Sequence, residues 1–176
     1  MTSGIVAFSG PRACGKSTIA EHLCIQHGYT RIAFADAIRY IARCVNPDLQ
    51  NERAFLAELG QVLRNCLPKF AILAVQHSLK SIEGPVIIED IRFPSEMEFC
   101  KSVGATTIRF EIDRESQIQR LLKREGDNEN IQELLDCDDE LRLGKKKNWD
   151  FTISATGDFR DIAAKIHELN GGVNNE

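Results

Sequence analysis

Residues 5–18 read Ile5-Val-Ala-Phe-Ser-Gly10-Pro11-Arg12-Ala13-Cys14-Gly15-Lys16-Ser17-Thr18. The short apolar run at 5–9 has the character of a buried strand, and the nine residues after it fit G-x-x-x-x-G-K-[ST] without a mismatch. A helical pattern follows at once, over 16–27. Glycines in such a loop let the backbone wrap around a phosphate with its N–H groups turned inward, and the helix start adds partial positive charge. A plain glycine turn before a helix accounts for the glycines but not for Lys16-Ser17 at the helix start. The spacing predicts a nucleoside triphosphate site built by Gly10–Thr18, in which Lys16 bridges the β- and γ-phosphates and the Ser17 hydroxyl holds Mg²⁺.

Outward from this loop, short apolar runs alternate with amphipathic stretches. Strands are expected at 5–9, 32–35, 86–89, 106–112 and 151–154, and most are runs with little polar alternation, as for parallel strands covered on both faces. Helices are expected at about 16–27, 37–45, 54–67, 70–81, 96–103 and 115–125. A last helix places Phe159, Ile162, Ala163, Ile166 and Leu169 on one face, with Asp158 and Asp161 at its start and Gly171-Gly172 at its end. Alternation of this kind implies an α/β, three-layer α/β/α sandwich around a five-stranded parallel sheet, with ligands bound beyond the carboxyl ends of the strands. No linker or repeat interrupts the 176 residues, so one domain, 1–176, is expected.

Composition narrows the function classes. Hydrophobic residues are 43% and charged residues 27%, a globular mixture, and 22 basic against 26 acidic side chains leave a net charge of -4. That balance argues against a nucleic-acid binder, which carries a basic footprint. The longest apolar run, 70–75, falls far short of the roughly 18 residues of a membrane helix. No basic segment precedes a hydrophobic one at the N-terminus, and the six cysteines never form C-x-x-C. A cytoplasmic protein with reduced thiols and small-molecule substrates, and without a membrane or nucleic-acid partner, is expected.

The strand at 86–89 ends in Glu89-Asp90, and a carboxylate there suits the magnesium hydration shell opposite Ser17. The pleat sends the two acids to opposite sides, so one of them faces the metal, and Asp90 is favoured. Arg92 follows in Asp90-Ile-Arg92-Phe-Pro-Ser-Glu96; its fork of N–H donors suits a phosphate. Asp36-Ala-Ile-Arg39 follows the second strand in a similar way, and Arg64 lies on a helical segment further on. Several arginines besides the loop lysine suggest a second anionic ligand.

Arg120 and Arg124, at i and i+4, share a helix face, while Ile118, Leu121 and Leu122 are expected to turn toward the core. Such arginines suit a lid, at about 114–147, that neutralises a transferring phosphoryl group, although an ordinary surface helix has the same pattern. The polar stretch 126–130 reads as a mobile connection, and Lys145-Lys146-Lys147 as a solvated turn or a phosphate or nucleic-acid patch. Residues 1–110 carry a net +2 and residues 111–176 a net -6, with 11 of the 26 acids between 111 and 140. We expect the acids of 127–140 to hold the lid arginines when no nucleotide is bound.

These segments together resemble the small P-loop kinases of the nucleoside monophosphate kinase group, most closely the deoxynucleoside monophosphate kinases of phages. The likeness rests on Gly10–Thr18, Phe34-Ala-Asp36-Ala-Ile-Arg39, Leu59-Gly60-Gln-Val-Leu-Arg64, Asp90-Ile-Arg92-Phe-Pro-Ser-Glu96, Gly104-Ala and Asp150-Phe-Thr-Ile-Ser-Ala155-Thr156-Gly157. The C-terminal third is similar to dephospho-coenzyme A kinase as well. The resemblance implies transfer of the γ-phosphoryl of ATP, with Mg²⁺, to a nucleotide 5′-phosphate. It assigns Asp36, Arg39, Arg64 and Arg92 to the acceptor within a helical region of about 36–81. It gives Arg120 and Arg124 the lid role, so that with Lys16 and Asp90 they form the expected catalytic set, and places Ala155, Thr156 and Gly157 near the ATP base. Dephospho-coenzyme A, another phosphorylated metabolite, and a regulatory ATPase without an acceptor are the alternatives.

Overall fold

Ile5–Ser9 forms β1, buried along its whole length. Its loop leads into α1, Lys16–His27, and the chain continues through β2, Thr30–Ala33, and α2, Asp36–Val45. A short 3-10 helix, Pro47–Asn51, precedes α3, Arg53–Cys66, and α4, Phe70–Leu79. Then come β3, Val86–Glu89; α5, Pro94–Ser102; β4, Thr106–Glu111; α6, Arg114–Glu125; β5, Phe151–Ser154; and α7, Phe159–Leu169. These elements come from a computed structural model that describes residues 4–125, 135, 143 and 148–171. The five strands form one parallel sheet in the order β2-β3-β1-β4-β5. Among the described residues no helix is long and apolar enough to cross a membrane.

The order explains where the expected burial holds. Central β1 and β3 are buried at every position, but β2 and β5 lie at the sheet edges and leave half or more of their residues exposed. The strand expected at 32–35 is displaced to Thr30–Ala33, because the Asp36 carboxylate accepts the Ala33 N–H at 2.7 Å and turns the chain into α2. Helix α5 begins at Pro94 rather than 96. Proline's fixed φ suits the first helical position, and the Glu96 carboxylate accepts the N–H groups of Arg92 (2.8 Å) and Phe93 (3.1 Å). Helix α4 ends at Leu79, two residues before the expected 81, and β4 ends at Glu111 rather than 112. The last helix matches its expectation, with the Asp158 side chain accepting the Arg160 N–H and Gly171 at φ 80° after its end.

The chain divides into two compact units, one made of residues up to Arg31 and from Glu83 onward, the other of Ile32–Ile82. In the first, Val6, Phe8, Ile108 and Phe110 of the sheet pack with Ile19 and Leu23 of α1 and Ile162 and Ile166 of α7. Phe8 and Phe110 meet edge to face at 5.1 Å, an arrangement worth about 0.5–1.5 kcal/mol beyond their area burial. On α6, Leu121 is fully buried, but Leu122 is 38% exposed and does not join the core as expected. Gln117, one turn before Leu121 on the same face, is buried instead.

In the second unit α2 packs on the 3-10 helix, α3 and α4. Gly60 is buried on α3, and a Cβ there would sit 3.0 Å from Ile38 Cδ1. A larger side chain at this position would push on Ile38 of α2.

Candidate functional site

The phosphate loop is held open by its backbone. Ala13 (φ 59°) and Gly15 (φ 96°) are both left-handed, and Gly10 has φ 154°. This conformation turns successive N–H groups to one side. A Cβ on Gly10 would lie 2.9 Å from both Phe110 Cβ and Phe110 O and 3.2 Å from Cys14 Sγ, so glycine is the residue that fits. The first helical bond of α1 runs from Ile19 N to Gly15 O at 3.1 Å, which leaves the N–H groups of Lys16, Ser17 and Thr18 without an intrahelical acceptor. The first turn of α1 contains no acidic residue to offset the positive end of the helix dipole. An anion is therefore favoured here.

The Lys16 ammonium donates to Gly10 O at 2.6 Å and to Pro11 O at 3.0 Å, at the mouth of the same loop. Arg120 also reaches the loop from α6, donating from Nη1 to Cys14 O (3.0 Å) and Ala13 O (3.5 Å) and from Nη2 to Ala155 O (2.8 Å). One guanidinium thus ties the phosphate loop to the loop after β5, two of the segments assigned to ATP. Gln117 adds a bond from Nε2 to Arg12 O at 3.1 Å. The sequence reading missed Gln117, although its spacing of four from Leu121 marks the face. Arg124 is exposed on the same helix. Asp113 starts that helix by accepting the Ser116 N–H at 2.8 Å, and this bond holds its carboxyl below the usual carboxylate range.

The acids after β3 separate sharply. Glu89 is 1% exposed; its Oε2 pairs with Arg31, and its Oε1 is buried without a hydrogen-bond partner among the described residues. Asp90 lies beyond the strand at φ 64°, so its direction is set by a left-handed turn and not by the pleat expected from sequence. Asp90 and Arg92 lie together, Oδ1 to Nη2 at 4.0 Å, and Ile91 N donates to Phe8 O at 3.2 Å. The turn carrying both charges is therefore bonded to the strand that leads into the phosphate loop. The two side chains that the sequence reading assigns to a cation, Ser17 and Asp90, carry oxygen donors, the hard set that suits Mg²⁺.

In the second unit the structure brings Asp36 and Arg39 together, Oδ1 to Nη1 at 3.5 Å. The Arg64 guanidinium lies against Gly60, its nitrogens 3.5 and 3.6 Å from where a Cβ would be. Thr156 and Gly157 are exposed after β5, and Ala155 is buried. Of the lid expected at 114–147, residues 114–125, Leu135 and Leu143 are described; Arg114 donates to Leu135 O at 3.2 Å, and both leucines are buried. The polar stretch 126–130, the acids expected to hold the lid arginines, and Lys145–Lys147 lie outside the described residues. Cys14, Cys24, Cys44, Cys66 and Cys100 are unbridged thiols, and burial pushes Cys100 up to about 12.

No protein-family model and no curated protein matches the chain. Solved structures do. The Thermus thermophilus protein TT1252 superposes with a TM-score of 0.68 at 17% identity, over 97% of this chain and 98% of that one. A gluconokinase from Sinorhizobium meliloti 1021 gives 0.62 at 16% identity over 96% and 92%. Shikimate kinase from Acinetobacter baumannii, solved with shikimate, gives 0.58 at 20% identity over 96% and 93%. These similarities show that the chain shares its fold, a five-stranded parallel sheet with a G-x-x-x-x-G-K-S loop between β1 and α1, with these proteins.

Proposed function

We propose that the chain is an ATP-dependent phosphotransferase whose acceptor is a (deoxy)nucleoside monophosphate. The observation that carries this reading is the pairing of two charged devices on one strand: the phosphate loop that follows β1, and the Asp90-Ile91-Arg92 turn bonded to Phe8 of β1. A nucleotide-binding switch needs the loop and the metal-holding acid alone. A phosphotransferase also needs a cation for its acceptor, and Arg92 supplies a planar fork suited to an oxyanion.

In this reading the loop N–H groups and Lys16 hold the triphosphate, with Lys16 exchanging the Gly10 and Pro11 carbonyls for phosphate oxygens. Ser17 and Asp90 are the oxygens that would hold Mg²⁺, which when bound neutralises charge on the β- and γ-phosphates. Arg92 orients the acceptor, and Arg120 and Arg124 stabilise charge on the transferring group. Asp36, Arg39 and Arg64 complete the acceptor set on the strength of the sequence resemblance, and Ala155–Gly157 lie near the ATP base on the same ground. A loose transition state needs positioning and charge neutralisation and no strong base.

The second reading is a kinase of a small phosphorylated metabolite such as dephospho-coenzyme A, or of a hydroxy acid. The names of the structural neighbours, gluconokinase and shikimate kinase, favour the hydroxy acid, and a carboxylate suits the Arg92 fork as well as a phosphate does. An acceptor panel with radiolabelled ATP separates them: the monophosphates, dephospho-coenzyme A, shikimate and gluconate. Transfer to at least one monophosphate is expected, and Arg92→Ala should raise the acceptor KM or lower kcat by roughly tenfold or more while ATP affinity holds. Transfer confined to the other acceptors moves the assignment to them. Phosphate release that needs no acceptor and ignores Arg92→Ala would make the protein a regulatory ATPase.

A further inference from the structure

A polar relay, buried at Ser9 and half-buried at Arg109, lies between the phosphate loop and the acid-bearing turn. Ser9, the last residue of β1 and the neighbour of Gly10, is 2% exposed, and its hydroxyl donates to Ile91 O at 3.0 Å. Arg109 of β4, which sits beside Ser9 in the sheet register, donates from Nη1 to the same hydroxyl oxygen at 3.0 Å. The direction of this relay is forced. A guanidinium has donors and no acceptor, so Ser9 accepts from Arg109 and its single proton is left for the Ile91 carbonyl.

Ile91 is thereby held at both ends, its N–H by Phe8 O and its carbonyl by Ser9. The next two N–H groups, of Arg92 and Phe93, are taken by the buried Glu96 carboxylate. On the other side of Asp90, β3 is in register with β1 as far as Ala7 and Ile88. Asp90 is one left-handed residue between two anchored segments, and left-handed backbone at a non-glycine residue persists where its surroundings over-determine it.

We infer that Ser9 and Arg109 are positioning residues: their hydrogen-bond relay to Ile91 locks the Asp90–Arg92 turn to the base of the phosphate loop and so fixes where the Asp90 carboxylate meets the metal-bound triphosphate. The inference rests on the phosphotransferase reading, because it takes Asp90 as an oxygen donor to Mg²⁺. Neither residue touches nucleotide in it. Both act through the turn.

The test is Mn²⁺ binding in the presence of ADP, followed by electron paramagnetic resonance, alongside ADP binding in EDTA. Ser9→Ala removes the donor to Ile91, Arg109→Met removes the group that orients it, and Arg109→Lys keeps a cationic donor. Ser9→Ala and Arg109→Met are expected to weaken Mn²⁺ binding by roughly tenfold, the scale of one lost buried hydrogen bond, while metal-free ADP affinity stays within about twofold. Arg109→Lys should recover most of the loss. A melting curve accompanies each variant; if Ser9→Ala does not fold, the Arg109→Met and Arg109→Lys pair decides by the same criterion. Equal Mn²⁺ binding in wild type and variants overturns the inference, as does an equal loss of metal-free ADP binding, which is the mark of a general structural defect. A wild-type protein without nucleotide-dependent Mn²⁺ binding overturns the phosphotransferase reading and takes this inference with it.

Discussion

At the start of α1, the cations Lys16 and Arg120 donate to carbonyls of the phosphate loop. At its end, His27 stacks on His167 of α7 at 3.9 Å, Tyr29 OH bonds to His167 Nδ1 at 3.3 Å, and Asn170 Nδ2 donates to Tyr29 OH at 3.0 Å. The first arrangement consists of charged groups on acceptors that a phosphate can replace. The second consists of ring, hydroxyl and amide groups that serve one another, with the Asn170 amide lying against Gly4 at the start of β1. The helix dipole favours an anion at the first end and a cation at the second, yet burial, helped by His167 and His22, holds His27 below the usual histidine range. One end of the helix is built for exchange of partners and the other for closure.

Variants at the two ends should therefore fail in different assays. The largest effect is expected from Lys16→Ala, which should lower phosphoryl transfer by at least ~100-fold, the scale of a lost charge-stabilising donor, with little change in melting temperature. A large fall in melting temperature would make Lys16 a structural residue and erase the distinction. Tyr29→Phe leaves Asn170 and His167 without their shared partner, and should cost about 1–2 kcal/mol of stability in denaturant titrations with transfer rate unchanged. A rate loss matching the stability loss would couple the two ends instead.

The smallest effect is in pH. Because the folded state holds His27 below its ordinary value, the unfolded chain binds more protons once pH falls below about 6.5, and stability must decline from there downward. The melting temperature measured from pH 7.5 to 5.5 should show that decline, and His27→Gln should flatten it. An unchanged slope in the variant would assign the decline to other groups.

What could be read from sequence follows the reach of each signal. The phosphate loop, β1, β3 and α1 were legible because their reasons are local: an apolar run, a glycine at each end of the loop, a lysine and serine at a helix start. The strand at 30–33 was placed two residues late because Thr30 and Arg31 lie on an exposed edge and carry no apolar mark. The pleat predicts opposite directions for Glu89 and Asp90, but the left-handed turn that sets the direction of Asp90 has no residue signature in an aspartate. The Ser9–Arg109 relay, the Gln117 bond to Arg12 and the Tyr29–Asn170 lock join residues 100, 105 and 141 positions apart. No periodicity reports a pairing of that separation.

The close approach of Gly10 to Phe110 bears on whether the loop can be moved. The motif looks portable, a cassette that any strand and helix could accept. Its first glycine, however, lies against the side chain and carbonyl of a residue on β4. A chimaera that carries residues 10–18 into another sheet without a strand residue whose Cβ and carbonyl lie as close would keep the letters of the motif and lose the wall that shapes its opening. The transferable unit is the loop together with the strand face behind it.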